Sequence, residues 1–408
     1  MRVLFVHQSF PGQYRHLATA LAALPEHEVV GLGEQDLGLL PGVRHVRYPA
    51  PEGAGQATHN YLRPMEAAVR RGQAVARAGE ALKAHGFRPD LVCCHPGWGE
   101  GLFLRDVFPD ARLLYNFEFH YAARGADLGF GERGPATLDE AARIRILNTN
   151  NLLNLDAADW SHTATQWQRS CFPQWARARM TVQHEGVDTD LARRDPAARF
   201  VLPDGHVLTA ADEVVSYAAR GLEPYRGFPS FMRALPDFLR HRPRAQVVVV
   251  GDDAAHYGSG PLGGSSWRAT LMAELGDRLD GARVHFVGRV PHRALLSLFS
   301  ISAAHVYLTY PFILSWSLLE AMSCGCPIIA SATPPVEEVV RHERNGRLVD
   351  FHAPDELTAA LIATLEQPGG SREWALAARA DIVARYDLKR ICLPAGLNLL
   401  QAVVTGRS

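Results

Sequence analysis

Residues 310–331 read Tyr-Pro-Phe-Ile-Leu-Ser-Trp-Ser-Leu-Leu-Glu-Ala-Met-Ser-Cys-Gly-Cys-Pro-Ile-Ile-Ala-Ser and carry the densest chemistry in the chain. A loop runs into a helix bearing Glu320, and Gly325 stops that helix before an apolar strand. The first turn of a helix presents unpaired backbone N–H groups at the positive end of its dipole, which suits a diphosphate. Ser315, Trp316 and Ser317 occupy that end. A carboxylate in the same element accepts hydrogen bonds from ribose hydroxyls, although a buried glutamate can equally cap a neighbouring strand. A second group lies in the first half. His7 ends the first apolar run, and His95-Pro-Gly-Trp98-Gly-Glu100 follows another at 91–94. Strand ends are where ligands bind in open α/β sheets. Asn116-Phe-Glu118-Phe-His120 closes a further run, read as a strand over 113–121. Residues two apart on an extended strand share a face, so Glu118 and His120 are both candidates and the sequence does not choose between them. Gly12, in the turn after the first strand, allows close backbone approach to a ligand.

The elements that must position these groups alternate along the chain. Strands are expected at 2–7, 28–31, 91–94 and 113–121, with helices between. A second series expects strands at 214–218, 246–250, 284–287, 305–308 and 327–330, with helices at 228–240, 295–302 and 318–323. Strand, helix, strand with short turns implies parallel pairing and a doubly wound sheet, here twice. Gly186-Val-Asp-Thr-Asp190 and the polar stretch after it mark a hinge near 187–200. The expected organisation is one domain over 1–190, a second over 191–385, and a helical segment over 386–408 that packs back on the first. With 408 residues, 47% hydrophobic and 21% charged, the chain buries a large core without staples. A net charge of −1 excludes a global basic field for nucleic acid. Peripheral membrane contact is allowed by the sequence, but nothing in it calls for such contact. The six cysteines form no C-x-x-C pair and read as reduced, buried thiols of a cytoplasmic protein. The opening apolar run is too short to span a membrane and has no cleavage site after it, so nothing is expected to be removed. Gly251-Asp252-Asp253 reads as a turn after a strand, and no catalytic metal is expected.

The 310–331 segment resembles the signature of the retaining glycosyltransferases of family 4, the group 1 glycosyltransferases. Their pattern is Glu, seven residues, Glu, then Ala-Met-x-x-Gly-x-Pro. Glu320 takes the second, ribose-binding place. Phe312 stands where the first acid handles the transferred sugar, and Ile313-Leu-Ser315 replaces Gly-Phe-Gly. Ala219-Arg220-Gly-Leu-Glu-Pro-Tyr-Arg226-Gly227 looks like the family's basic segment, one residue longer than the commonest form, in which two cations clamp the donor diphosphate. Arg226 replaces the usual Lys, and its planar fork suits a phosphate. Val284-His-Phe-Val-Gly-Arg289-Val290-Pro resembles the segment beside the base, and His184-Glu-Gly-Val-Asp-Thr189 resembles the interdomain segment. Residues 327–340, with Glu338 at a recurring acidic position, and 345–349 complete five motifs in family order. Phe10-Pro-Gly12-Gln-Tyr-Arg-His-Leu-Ala18 takes the place of the glycine-rich loop.

The resemblance implies a GT-B fold, two Rossmann-like doubly wound domains facing across a cleft. It further implies a metal-independent transferase that moves a sugar with retention from a UDP- or GDP-linked donor, without a separate cofactor. The acceptor is a small molecule, a glycan or a lipid-linked sugar. Glu118, His120, Arg220 and Arg226 are the catalytic candidates. Gly12, Arg289, Val290, Ser315, Trp316, Ser317 and Glu320 are expected on the donor side, and His7, His95 and Trp98 on the acceptor side. Three alternatives share the fold or its ligand: a sugar-nucleotide epimerase, a phosphorylase, and a nucleotide-sugar-binding protein without turnover. A phosphorylase requires a cofactor lysine pocket, and no motif contains a lysine. A dinucleotide oxidoreductase is disfavoured, because no G-x-G-x-x-G follows a strand with an acid roughly 20 positions on.

Overall fold

The computed structural model describes the whole chain except residues 36–37, 131–135, 259, 262–263 and 407–408. It divides into two compact units. One contains Met1–Gly129, the described residues up to Gly186, and the stretch from Lys389. The other contains Val187–Leu388, together with Phe130.

In the first unit the strands are β1 (Arg2–Val6), β2 (Glu28–Gly33), β3 (Arg44–Arg47), β4 (Leu91–Cys94), β5 (Arg112–Asn116), β6 (Trp160–Thr163) and β7 (Met180–Val182). They form one parallel sheet in the order β3-β2-β1-β4-β5-β6-β7. The central strands β1 and β4 are apolar and buried on both faces, as a sheet covered by helices requires. The helix Leu393–Thr405 returns to this unit, with Gly396 against Leu17 and with Leu400 and Val403 in the core around Val3 and Phe5.

In the second unit a short hairpin, β8 (Phe200–Val201) and β9 (Val207–Leu208), precedes β10 (Val214–Gly221), β11 (Gln246–Asp252), β12 (Val284–Gly288), β13 (Ala304–Tyr307), β14 (Ile328–Ser331) and β15 (Arg347–Val349). The last six form a parallel sheet in the order β12-β11-β10-β13-β14-β15. The four consecutive valines of β11 are fully buried β-branched residues at the centre of a strand. The helix Phe228–His241 buries Phe228, Phe231, Met232, Leu235, Phe238 and Leu239, one apolar stripe at helical spacing. Both sheets are doubly wound. Their strand order reverses between β1 and β4 in one and between β10 and β13 in the other, which opens a crevice beyond the strand ends.

One expectation fails here. The strand read over 113–121 ends at Asn116. Beyond it, side-chain amides take over the backbone's hydrogen bonds. Gln168 Nε2 donates to the Glu118 carbonyl at 2.6 Å, and Asn151 Nδ2 to the Phe119 carbonyl at 2.9 Å. Asn148 both accepts from the Tyr121 N–H at 3.0 Å and donates to its carbonyl at 2.7 Å. Satisfied this way, the segment needs no sheet neighbour.

Candidate active site

At the β10/β13 reversal the turn after β10 carries Arg226, which is buried. Its Nη1 donates to Thr309 Oγ1 at 2.9 Å, the Ile313 carbonyl at 3.1 Å and Tyr307 Oη at 3.2 Å. Its guanidinium lies 5.1 Å from the Tyr257 ring centre, a cation–π distance. Tyr225 stacks on Tyr310, with ring centres 4.7 Å apart, and Phe312 meets Tyr225 and Tyr257 edge-on. The position where the family signature has its first acid is therefore part of an aromatic wall beside a buried cation. Glu223, also buried, accepts the backbone N–H groups of His256, Tyr257 and Gly258, which fixes the Tyr257 loop to the turn after β10.

The two arginines expected as a clamp differ in setting: Arg226 is buried and multiply bonded, whereas Arg220, at the end of β10, is exposed. Ser315 caps the helix Trp316–Ser323, its side chain accepting the Ser317 N–H, while its own N–H donates to Tyr307 Oη at 2.8 Å. Two of the amides expected to face a diphosphate are thus already engaged. Trp316 is exposed. Arg289 donates to Asp252, whose other oxygen meets His256 Nε2 at 2.9 Å. Asp253 pairs with Arg268 at 2.8 Å, so both carboxylates of the turn have cationic or imidazole partners. Val290 packs on the core.

Glu320 is paired. Its Oε1 lies 2.7 Å from His292 Nε2, at the start of the helix His292–Ile301. The hydrogen bond to Glu320 raises the His292 pKa above its ordinary 6.5, against the opposing effect of burial. The pair's contribution is full below pH 6.5 and is lost as the pH rises through the raised value. For a half-exposed imidazole it is worth less than about 1 kcal/mol. An NMR titration of His292 is expected to give a midpoint above 6.5, and Glu320→Gln is expected to return it to the ordinary range. An unshifted midpoint in the parent protein would contradict the pairing.

At the β1/β4 reversal of the first unit, His7, His95, Trp98 and Glu118 come together. The His7 and His95 ring centres are 4.9 Å apart. Trp98 stacks on His95 at 4.7 Å and meets His7 edge-on at 5.6 Å. His95 Nε2 lies 3.5 Å from Glu118 Oε2, and Gln13 Nε2 donates to Glu118 Oε1 at 2.7 Å. Burial disfavours charge on His95, but the Glu118 carboxylate outweighs it and raises its pKa. Burial likewise opposes ionisation of Glu118, and His95 outweighs it and holds the acid below the usual range. Burial, with neighbouring His95, pulls His7 down to about 3 and keeps it neutral. Gly12, at φ +45°, abuts the His7 ring, and a Cβ there would lie 2.7 Å from its Cε1 and Nε2. Gly12→Ala is expected to cost roughly 1–2 kcal/mol for the left-handed backbone alone and more for displacing His7. A thermal midpoint equal to the parent's would contradict this contact.

The shared-face expectation for Glu118 and His120 fails with the strand that carried it. Glu118 joins the histidine cluster, whereas His120 packs on Phe172 at 5.5 Å. Nothing in the sequence pointed to Gln13 as a partner of Glu118 or to His292 as the partner of Glu320, and the tyrosines around Arg226 were not expected there. A usable signal existed for the last: Tyr225, Tyr257 and Tyr310 each follow the carboxyl end of a strand at or beside the reversal.

Residues 25–192 match the model of the glycosyl transferase family 4 group, and residues 206–381 that of the glycosyl transferases group 1. A D-inositol 3-phosphate glycosyltransferase of Rhodococcus jostii is 28% identical over 49% of this chain, and the match spans 44% of that enzyme's length. A glycogen synthase of Mycobacterium tuberculosis is 24% identical over 96% of this chain and 92% of its own. Among solved structures, sucrose-phosphate synthase from Thermosynechococcus elongatus superposes with a TM-score of 0.70, at 20% identity, over 99% of this chain and 100% of that one. Anabaena HepE in complex with UDP and glucose gives 0.67, at 19% identity, over 98% and 99%. No helix among the described residues is long and apolar enough to cross a membrane. With a family 4 match in its first half, a group 1 match in its second and two doubly wound parallel sheets, the chain has the GT-B fold and is similar in both halves to glycosyltransferases.

Proposed function

We propose that this protein transfers a sugar from a UDP- or GDP-linked donor to a hydroxyl acceptor, with retention and without a metal ion. The observation that carries the reading is that the half matching group 1 holds both Arg226, at the β10/β13 reversal, and Glu320, on the helix that follows β13. Glu320 takes the ribose hydroxyls, Arg226 and Arg220 the diphosphate, and Arg289 and Val290 flank the base. Residues 191–385 bind the donor and 1–190 the acceptor, with 386–408 as the C-terminal segment. His7, His95 and Trp98 serve the acceptor. The bond from the sugar's anomeric carbon to the diphosphate breaks and a bond to the acceptor oxygen forms on the same face. The acceptor's proton passes to a departing phosphate oxygen. The arginine cations beside the diphosphate offset the negative charge that builds on it in the transition state. HepE, a neighbour in fold, has been solved with UDP-glucose.

A thermal-shift panel of UDP, GDP and their sugars tests the binding half of this reading. A ligand at 100 times its dissociation constant adds about 2.7 kcal/mol. For units of this size that is roughly 5–10 °C. No shift with any member would remove the nucleotide. Phe312 favours one rival, a binding protein without turnover. Nucleotide binding with no sugar transfer or hydrolysis would select it.

A further inference from the structure

The cluster at the β1/β4 reversal has a chemistry of its own. His7 Nδ1 accepts the Ser9 N–H at 2.9 Å, so in the neutral ring the proton sits on Nε2. That Nε2 is buried and meets no partner at hydrogen-bond geometry, and the nearby Gln13 amide is already committed to Glu118. A buried donor left unpaired is destabilising, and a ligand oxygen would satisfy it. Glu118 supplies the opposite function. Its carboxylate is held by His95 and Gln13, yet 35% of its side chain remains open to solvent, so lone pairs remain for a ligand's O–H. Trp98, 40% exposed, lies across both imidazoles, so its outer face is free while its inner face is fixed. The loop that carries it is anchored where the Trp98 N–H donates to the buried carboxylate of Glu100 at 3.2 Å.

An unfilled N–H donor, a part-exposed carboxylate and a fixed aromatic face in one place match a specific kind of ligand. A hydroxyl both accepts and donates, so it satisfies His7 and Glu118 together, and the C–H face of a sugar ring stacks on an indole. A phosphate satisfies only the donor and is repelled by Glu118. We infer that His7, Glu118 and Trp98 form the acceptor subsite of the first unit, selective for a neutral polyhydroxylated ring over its phosphorylated counterpart. This assignment rests on the acceptor role proposed above for the first unit. It names a class of acceptor chemically different from the inositol phosphate in the name of the Rhodococcus relative.

Saturation-transfer NMR on the full chain, with UDP or GDP present, tests it. The probes are methyl α-glucopyranoside, methyl α-mannopyranoside, maltose and myo-inositol, each against glucose 6-phosphate and myo-inositol 1-phosphate. At least one neutral probe is expected to bind at least tenfold more tightly than both phosphates. Trp98→Ala, at an exposed site that does not threaten folding, is expected to abolish its signal. Glu118→Gln is expected to weaken the neutral probe at least tenfold and to narrow the gap to the phosphates. Binding by phosphates alone, by no probe while the nucleotide still binds, or undiminished binding in Trp98→Ala would each overturn the subsite. None of these outcomes would touch the donor reading, which fails separately if the nucleotide does not bind.

Discussion

Glu320→Ala is expected to weaken binding of the free nucleoside diphosphate by about 1.5–3 kcal/mol, the usual worth of a hydrogen bond to a charged group. That is roughly tenfold to 150-fold in dissociation constant. Glu320 lies midway along the helix Trp316–Ser323 and is partly exposed, so truncation removes a carboxylate without opening the core. Its partner His292 loses an ion pair worth little at this exposure, so the folded state should survive. Isothermal calorimetry with UDP and GDP measures the effect. Unchanged affinity in a folded variant would remove Glu320 from the ribose site.

Arg226→Ala is expected to have two separable effects. The side chain is buried and its Nη1 serves Thr309, Ile313 and Tyr307, so its loss removes three buried hydrogen bonds, although Tyr307 Oη keeps the Ser315 N–H. A charged hydrogen bond is worth about 1.5–3 kcal/mol, so a stability loss of about 3 kcal/mol is expected in denaturant unfolding. The second effect is kinetic. A cation acting on a departing diphosphate matters more in the transition state than in the ground state, so kcat should fall more than KM rises. Arg226→Lys keeps a point charge but loses the fork, and should retain part of the rate. A purely structural arginine would lose stability at unchanged kcat. Steady-state kinetics on folded Ala and Lys variants distinguish the two, and wild-type kcat in the alanine variant would end the diphosphate role.

The sheet cores were legible because they are made of unbroken apolar runs. Val247–Val250 and Val3–Val6 have no alternation to confuse, as strands buried on both faces must read. The edges were not. β3 is Arg-His-Val-Arg and β7 is three residues long, too polar or too short to stand out from a loop. The overrun beyond Asn116 came from apolar Phe117 and Phe119, which pack without a strand because the Phe117 N–H meets the His162 carbonyl and side-chain amides take the Glu118 and Phe119 carbonyls. The candidate site divides the same way. The reversal rule places His7 and His95 together although 88 positions separate them, because topology alone determines which strand ends are neighbours. Side-chain partners obey no such rule. Nothing in the spacing of His292 and Glu320 announces their contact, and Arg226 meets Tyr307 on β13 and Tyr257 on the loop after β11, both remote from it in sequence.

Sugar transfer by the purified chain separates a transferase from a protein that only binds nucleotide sugars. The purified chain is incubated with UDP-glucose, UDP-N-acetylglucosamine, UDP-galactose and GDP-mannose, each with the neutral probes above as acceptors and with chelator present. Proton NMR follows the nucleotide and the anomeric region. Release of UDP or GDP with at least one donor is expected, together with a new α-anomeric signal from a product that keeps the donor's configuration. Nucleotide release only after magnesium or manganese is restored would contradict the metal-independent step, and a β-anomeric product would contradict retention. Binding of the nucleotide sugars with no release of nucleotide from any of them would contradict the transferase.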